Sequence, residues 1–537
     1  MDTNSCRDYS SPGISKANCD RHGSGIAIGY PPIKSDKGVP LLSQNRQFQF
    51  FSSPTYIYPM VPAYAASNLK KHGYQVHWLD GIAEKKDYGD WIDELKNTGS
   101  KYLMIESKSP VIKTHWEQIK DIKSKIPHIK IILVGDHVSF RPLESFLSSP
   151  VDYVISGGDY DFLIVNLLNH IRQGESLEGG IYWREKDKNI KIILREINIL
   201  KNGEKISNSG PISLKHNLDE LPFIDRELTK WKLYAYENGN YKYTPATYMY
   251  SGRDCWWGRC TFCVWDHTIN PPGSYRSFSP ERLFAEVAHV VDNYQVREIF
   301  DDAGTMFIGA KLRKFCQLLI DKGYHKKIRF GCNMRFNALT EEDCKLMAKA
   351  GFRFILYGME SANQKTLDKL DKGIKSEDII NGARVASEAG LEPHATIMLG
   401  YPWESYAEAK NSIELAKYCF RKGYFHTMQA TIITPYPGTP LWKECQEKKW
   451  LLTEDYDDYD MRGPVMKIPY SEKKLLELMR ELYKSFISPR FILRKARSIR
   501  SFDDIKFFYT AAKKLLGHLL DFDPQQKIQL KRDEGRK

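Results

Sequence analysis

Cys255, Cys260 and Cys263 stand within nine residues, in the stretch SGRDCWWGRCTFCVWDH. Thiolates are strong ligands for soft metals. A structural zinc site closes with four ligands. No fourth cysteine follows, although His267, four residues on, could complete one. Three thiolates on a short loop also suit an iron–sulfur cluster with one iron left open. An open iron can bind and reduce a substrate, which a site closed by four cysteines cannot. The other seven of the ten cysteines are scattered, and the plain reading of a scattered cysteine is a small buried hydrophobe. In a reducing compartment clustered thiols read as metal ligands rather than disulfide partners.

With these residues in view, the sequence resembles the radical S-adenosylmethionine (SAM) superfamily. That family carries three cysteines after the first strand of a β/α barrel, usually spaced C-x3-C-x2-C with an aromatic residue before the third. Here the spacing is C-x4-C-x2-C, one residue longer, and the aromatic is Phe262. The resemblance continues in order through EIFDDAGTMF, CNMRFNALTEEDCKLMAKAGFRFILYGMES, KTLDKLDKGIKSEDI, TIMLGYPWES and TPYPGTPL, covering residues 244–445. It implies a [4Fe–4S] cluster on the three cysteines, with SAM on the open iron. Reductive cleavage then gives a 5′-deoxyadenosyl radical. It further implies a SAM site in which Phe262 flanks the cluster and backbone after Asp301 and Asp302 meets the amino group. Arg335 would pair with the carboxylate, where a bidentate fork fits. Glu360 would reach ribose hydroxyls or the amino group, and Gly400 would admit the adenine. The plain reading of each charged residue is a strand-end salt bridge. Trp256, Trp257 and Trp265 read first as packing that shields the cluster, and second as a stacking surface. No general base is assigned. Tyr357, Tyr401 and Cys332 fall near strand ends but read as core or supporting residues.

The elements that must position this loop form two alternating strand–helix series. The second begins near Thr244, with six βα units over ~200 residues, and predicts a partial or full barrel with its site at the strand C-terminal ends. The first runs over about 22–175, with strands in GIAIGYPP, YQVHWLD, KYLMIES, KIILVGD and VDYVISGGD. It predicts a doubly wound α/β domain whose strands all end on one edge. A Rossmann-like domain ahead of such a barrel resembles the cobalamin-binding class of radical SAM enzymes, and SGGDYD resembles that class's Gly-Glu-x-Glu turn with Asp at both acidic places. The resemblance implies a cobalamin whose nucleotide tail lies near Ser107, Gly135, Gly157 and Gly158. The Asp-x-His-x-x-Gly signature that ligates cobalt through His is not met by LDGIAEKKD at Asp80. The bland alternative is an α/β domain that only scaffolds the barrel. GIAIGYPP is not the Gly-x-Gly-x-x-Gly of a nicotinamide domain.

The fold class expected is therefore α/β: a Rossmann-like cobalamin-binding domain, a radical SAM partial β/α (TIM-like) barrel and a C-terminal helical tail. The expected boundaries are a flexible leader at 1–21, the first domain at 22–175, a connector at 176–240 with a hairpin, the barrel at 241–465 and a basic helical region at 466–537. With both cofactors the class implies C-methylation of an unactivated carbon through methylcobalamin, or else radical ring closure or rearrangement. A reading of another class is a non-catalytic corrinoid or Fe–S carrier. The substrate expected is a small molecule, lipid or natural product, and the electron donor a flavodoxin or ferredoxin.

Bulk properties agree. The chain has 537 residues, 42% hydrophobic, enough for several cores. No apolar run reaches the ~18–20 residues that span a bilayer, and the N-terminus lacks a signal-peptide pattern, so the expected location is cytoplasmic. The net charge of +12 is concentrated towards the C-terminus, and no RNA-binding module accompanies it. Ser488 to Leu520 mixes Arg and Lys with Phe, Ile and Leu. It reads either as a helical cap on the barrel or as an interfacial helix in peripheral contact with a membrane.

Overall fold

The computed structural model describes residues 25–33, 39–40, 50–51, 56–185, 196–237, 241–487 and 489–521. The expected leader lies outside them, as do residues 522–537 of the tail.

The first sheet begins with β1 Gly25–Tyr30, β2 Gln75–Asp80, β3 Tyr102–Glu106, β4 Lys130–Val134 and β5 Tyr153–Ile155. Its parallel part has the order 2-1-3-4-5. Helices such as Met60–Lys71, Ile112–Lys125 and Tyr160–Gln173 connect the strands. Strands covered on both faces must be apolar throughout, which is why they read as short continuous hydrophobic runs. The order reverses between β1 and β3, and in open α/β sheets a ligand crevice opens at that switch point, beyond the strand C-terminal ends.

Residues 176–240 are more than a connector. There β6 Ile181–Arg184, β7 Glu196–Ile199 and β8 Lys205–Asn208 extend the same sheet beyond β5 as antiparallel strands, making it eight-stranded. Along β6 burial alternates between buried and half-buried, the pattern of a strand with one face on the core.

The second sheet holds β9 Ala246–Met249, β10 Glu298–Asp301, β11 Arg329–Met334, β12 Phe352–Glu360, β13 Glu392–Leu399 and β14 Thr427–Ile432. All are parallel and lie in chain order, and the sheet does not close from β14 to β9 among the described residues. It is a partial barrel of the six strands expected. Several of its helices start where side chains cap them. Ser279 accepts from the Arg282 N–H with Pro280 at the first helical position, and Thr340 with Asp343 and Ser405 with Glu408 form reciprocal capping boxes.

The two sheets share one apolar core that runs from β1 and Met60–Lys71 into the barrel strands. Across it the Tyr64 hydroxyl donates to Glu286 at 2.9 Å. At the C-terminus, helix Glu472–Lys484 buries Leu475, Met479 and Leu482, and the Tyr483 hydroxyl donates to the Ala430 carbonyl of β14 at 3.1 Å. Helices Pro489–Ser498 and Phe502–Asp521 follow. Asp503 pairs with Arg297 at 2.7 Å and Asp504 with Lys242 at 2.6 Å. These contacts lie at the start of the barrel strands, so the inner face of this region caps the barrel at the end opposite the cysteine loop.

Candidate functional site

The cysteine loop leaves β9 and is pinned on several sides. The Trp256 indole donates to the Met306 carbonyl at 3.2 Å and the Trp257 indole to the Asp371 carbonyl at 2.7 Å. Thr261 N donates to the Leu370 carbonyl at 3.0 Å. Gly304 N donates to Asp254 at 2.7 Å, and a Cβ at Gly304 would stand 3.2 Å from the Cβ of Cys255. Phe262 and Trp265 pack against a small cluster that includes Val264, Leu370 and Tyr401. Trp257 fills the space beside Gly373, where a Cβ would stand 2.1 Å from the indole. These contacts pack Trp257, Phe262 and Trp265 around the cysteine loop. The loop ends in a π-helical turn, Trp265–Ile269, a rare geometry that is frequent at functional sites.

Burial pushes the thiol of Cys260 up to about 12 and also raises that of Cys263, while Lys372 and Arg335 pull Cys260 the other way. Cys260 is buried and Cys255 and Cys263 are half-buried, and the two cations beside Cys260 suit a group that takes it as a thiolate. The His267 Nε2 donates to the Cys260 carbonyl at 3.1 Å, so that nitrogen carries a proton and cannot ligate. Among the described residues no three His, Cys, Asp or Glu converge on a single-ion site.

The expected SAM residues divide. Asp301 accepts from both the backbone N–H of Ser251, at 2.7 Å, and its hydroxyl, at 2.5 Å. Burial pushes its carboxyl up to about 6 against those donors. It ties β10 to the start of the cysteine loop. Asp302 is buried beside it. Arg335 and Glu360 do come together beneath the loop, through a residue the sequence reading missed. Lys372 is buried and pairs with Glu360 at 2.7 Å, and its carbonyl accepts from Arg335. The Arg335 guanidinium lies 4.3 Å from the Trp257 ring centroid and 5.6 Å from that of Trp256. A Cβ at Gly358 would collide with the Glu360 carboxylate at 2.2 Å, so this glycine clears the pair's space. Gly400 is placed differently. Its φ of +95° requires glycine, but a Cβ there would meet Ile432 and Leu475, so it faces protein packing. Tyr357 is core, stacked on Phe336 at 4.4 Å, and Cys332 is fully buried.

Buried polar atoms without hydrogen-bond partners ring the strand ends. They are Asn333 Oδ1 and Arg335 Nε at β11, Tyr401 Oη past β13 and Thr434 Oγ1 past β14. Such atoms cost free energy unless something pairs with them. Their position fits a polar ligand with both donors and acceptors, as SAM is.

At the edge of the first sheet, Ser107 and Gly135 adjoin. A Cβ at Gly135, φ +118°, would stand 2.1 Å from the Ser107 carbonyl oxygen. Gly157 packs on Ile212, and Gly158 packs on Ile269 and Asn270 of the loop that carries the cysteines. Gly158 N donates to the Ile269 carbonyl at 2.9 Å. Ser156 Oγ, Asn270 Oδ1 and Trp265 Nε1 are buried there without partners, and the Lys108 ammonium lies 4.8 Å from the Trp265 ring centroid. This polar, enclosed edge facing the cysteine loop fits a large cofactor with hydrogen-bonding side chains.

The next residues join the two domains. Arg253, two before Cys255, donates to the Gly158 carbonyl at 2.9 Å, to Asp159 at 3.0 Å and to Asp161 through both terminal nitrogens. Arg276 makes two bonds to Asp159, at 2.6 and 2.7 Å. His216 bridges Asp159 at 2.8 Å and Glu178 at 3.0 Å. Burial works against the Asp159 charge, but His216 and the arginines outweigh it and hold that carboxyl well below the usual range. The acidic SGGDYD turn is thus clamped directly to the cysteine loop.

The comparisons bear on this geometry. Residues 249–416 match the Radical SAM superfamily. This stretch is a radical SAM domain. It holds the cysteine loop and β10 through β13. Over most of its length the chain is similar to an uncharacterized methyltransferase of Pyrococcus horikoshii, 26% identical over 81% of this chain and 89% of that protein. It is also similar to the anaerobic magnesium-protoporphyrin IX monomethyl ester cyclase of Cereibacter sphaeroides, 23% identical over 76% of this chain and 63% of the cyclase. Among solved structures it shares the fold of the radical SAM methyltransferase TsrM of Kitasatospora setae, which holds cobalamin and a [4Fe–4S] cluster. The TM-score is 0.60 at 13% identity, over 87% of this chain and 90% of TsrM.

Proposed function

We propose that the chain is a cobalamin-dependent radical SAM enzyme that methylates an unactivated carbon of a small molecule. The observation that carries this reading is the Arg253 clamp, which sets the ligand-binding edge of the first sheet against the cysteine loop of the radical SAM domain. Cys255, Cys260 and Cys263 would hold the [4Fe–4S] cluster; Arg335, Asn333 and the Glu360–Lys372 pair would orient SAM; Ser107, Gly135 and the Gly157–Gly158 turn would border the cobalamin. When bound, these groups supply reductive SAM cleavage to a 5′-deoxyadenosyl radical and a transferable methyl group.

The chain's own residues position and enclose. Trp256 and Trp257 cover the thiols. Lys372 keeps the Glu360 carboxylate aimed. The clamp holds the two cofactor edges at a fixed separation and keeps water from the face between them. Arg259 on the same loop is exposed, and this side suits a flavodoxin or ferredoxin as electron donor. Free thiols throughout the described residues suit a reducing, cytoplasmic location. No described helix is long and apolar enough to cross a membrane.

Anaerobic reconstitution with iron, sulfide and hydroxocobalamin, then SAM and a strong reductant, tests the reading. Deoxyadenosine, S-adenosylhomocysteine and bound corrinoid are measured together. All three are expected. Deoxyadenosine without corrinoid reduces the first domain to a scaffold. Loss of SAM cleavage from a well-formed cluster, with candidate substrates present, favours the carrier reading. Radical ring closure is the second reading, supported by the likeness to the cyclase.

A further inference from the structure

Helix Phe502–Asp521 has two apolar faces. One is spent on the barrel: Phe507 lies under Arg353 at 5.9 Å, and Asp504 pairs with Lys242. The other is bare. Phe502 is 79% exposed, Ile505 51%, Tyr509 73% and Leu516 61%. At 3.6 residues per turn these four fall within an arc of about 60°, so they form one stripe rather than scattered surface residues. Leu493 of the preceding helix is also exposed.

Cations flank the stripe. Lys506 and Lys513 stand along one side of it, and Arg497 and Arg500 lie just before it, all exposed. Lys506 reaches the Thr244 hydroxyl at 3.4 Å and lies 5.9 Å from the Tyr236 ring centroid, and the Arg500 guanidinium reaches backbone carbonyls. None of the four has a carboxylate partner among the described residues. Beside the helix, and joined to it through Lys242, opens a cleft of about 590 Å³. Lys326, Arg329 and Lys349 line it. Arg329 donates only to the carbonyls of His325 and Ile328, and neither lysine has an acidic partner among the described residues.

Large apolar residues on a monomer's surface mark an interface. Lysines are depleted at interfaces between proteins, whereas an apolar stripe edged by Lys and Arg is the pattern that lies in a lipid headgroup layer. We infer that this face of the molecule docks on an anionic lipid surface, the stripe entering the headgroup boundary and the unpaired cations meeting lipid phosphates. The face lies at the start of the barrel strands, so docking leaves the cysteine loop at their far ends unobstructed. The inference is independent of the chemistry proposed above.

Co-sedimentation of the full chain with phosphatidylcholine vesicles, and with vesicles of equal parts phosphatidylcholine and phosphatidylglycerol, tests it. Binding to the mixed vesicles is expected to exceed binding to neutral ones by about tenfold or more, and to fall as salt rises. A double variant, Phe502→Ser with Tyr509→Ser, should lose most of that binding. So should Lys506→Glu with Lys513→Glu. Both should keep the melting profile and the SAM cleavage of the parent, because these side chains are exposed and far from the thiols. Failure to sediment with the mixed vesicles overturns the inference, as does equal binding to neutral ones. Self-association in analytical ultracentrifugation that the Phe502/Tyr509 variant abolishes, without vesicle binding, would make the stripe a contact between copies instead.

Discussion

At the scale of single residues, the proposed chemistry rests on three thiols and one buried ion pair. Replacing Cys255, Cys260 or Cys263 by Ala should each abolish the iron–sulfur absorbance and SAM cleavage after reconstitution. Replacing Cys316, Cys344, Cys419 or Cys445, all buried in the cores, should leave the iron content unchanged; iron and sulfide analysis distinguishes the two groups. Lys372→Met should leave Glu360 buried without its partner. Charge-assisted bonds contribute about 1.5–3 kcal/mol, so SAM binding should weaken roughly ten- to hundredfold, read by equilibrium dialysis, with the cluster spectrum retained. The cysteines and their spacing were legible in the sequence, as were Arg335 and Glu360 at strand ends. Lys372 was not, because it sits in a turn after a short helix, Gln364–Lys369, where a lysine ordinarily faces water. Gly400 shows a related limit: in the sequence, a glycine with positive φ reads the same whether a ligand or Leu475 lies beside it.

At the scale of elements, the decisive contact is between a turn and a loop. Arg253→Met should leave Asp159 and Asp161 short of a partner in a buried place. Breaking a buried pair typically costs about 3–5 kcal/mol, so urea denaturation should show a large loss, while Arg253→Lys, which keeps charge but not the planar fork, should lose less. The clamp also has a pH signature. Burial lowers the proton affinity of His216, but Asp159 and Glu178 outweigh it and raise the pKa to about 9. With a folded pKa above the unfolded value of ~6.5, its stabilisation is complete below ~6.5 and is lost as pH rises through about 9. Thermal midpoints should therefore fall between those values, and His216→Gln should flatten that stretch of the profile. A profile unchanged by the substitution would place the pH dependence elsewhere. Strands β1–β5 and β9–β14 were legible because most of their residues are apolar, as buried parallel strands require, and because they alternate with amphipathic helices. Strands β6–β8 were harder: they are four residues each, half polar, and gain their place only from the edge that β5 offers. The clamp itself was illegible, since Arg253 and Asp161 are 92 residues apart and nothing local marks either as the other's partner.

At the scale of the molecule, one core joins both sheets, and an ionic cluster seals their facing edges. This unites what the sequence presents as separate domains. The order of synthesis gives that seal a temporal meaning. Residues 25–185 leave the ribosome before Arg253 does, and N-terminal units fold first. At that stage Asp159 and Asp161 are hydrated carboxylates on an open rim. Arrival of the barrel strips their water and shuts the rim. A bulky cofactor bound for that face has its widest approach in this interval. Supplying the proposed corrinoid during expression should therefore give occupancy at least as high as reconstituting the finished protein, and the difference between the two routes measures how far the clamp restricts entry.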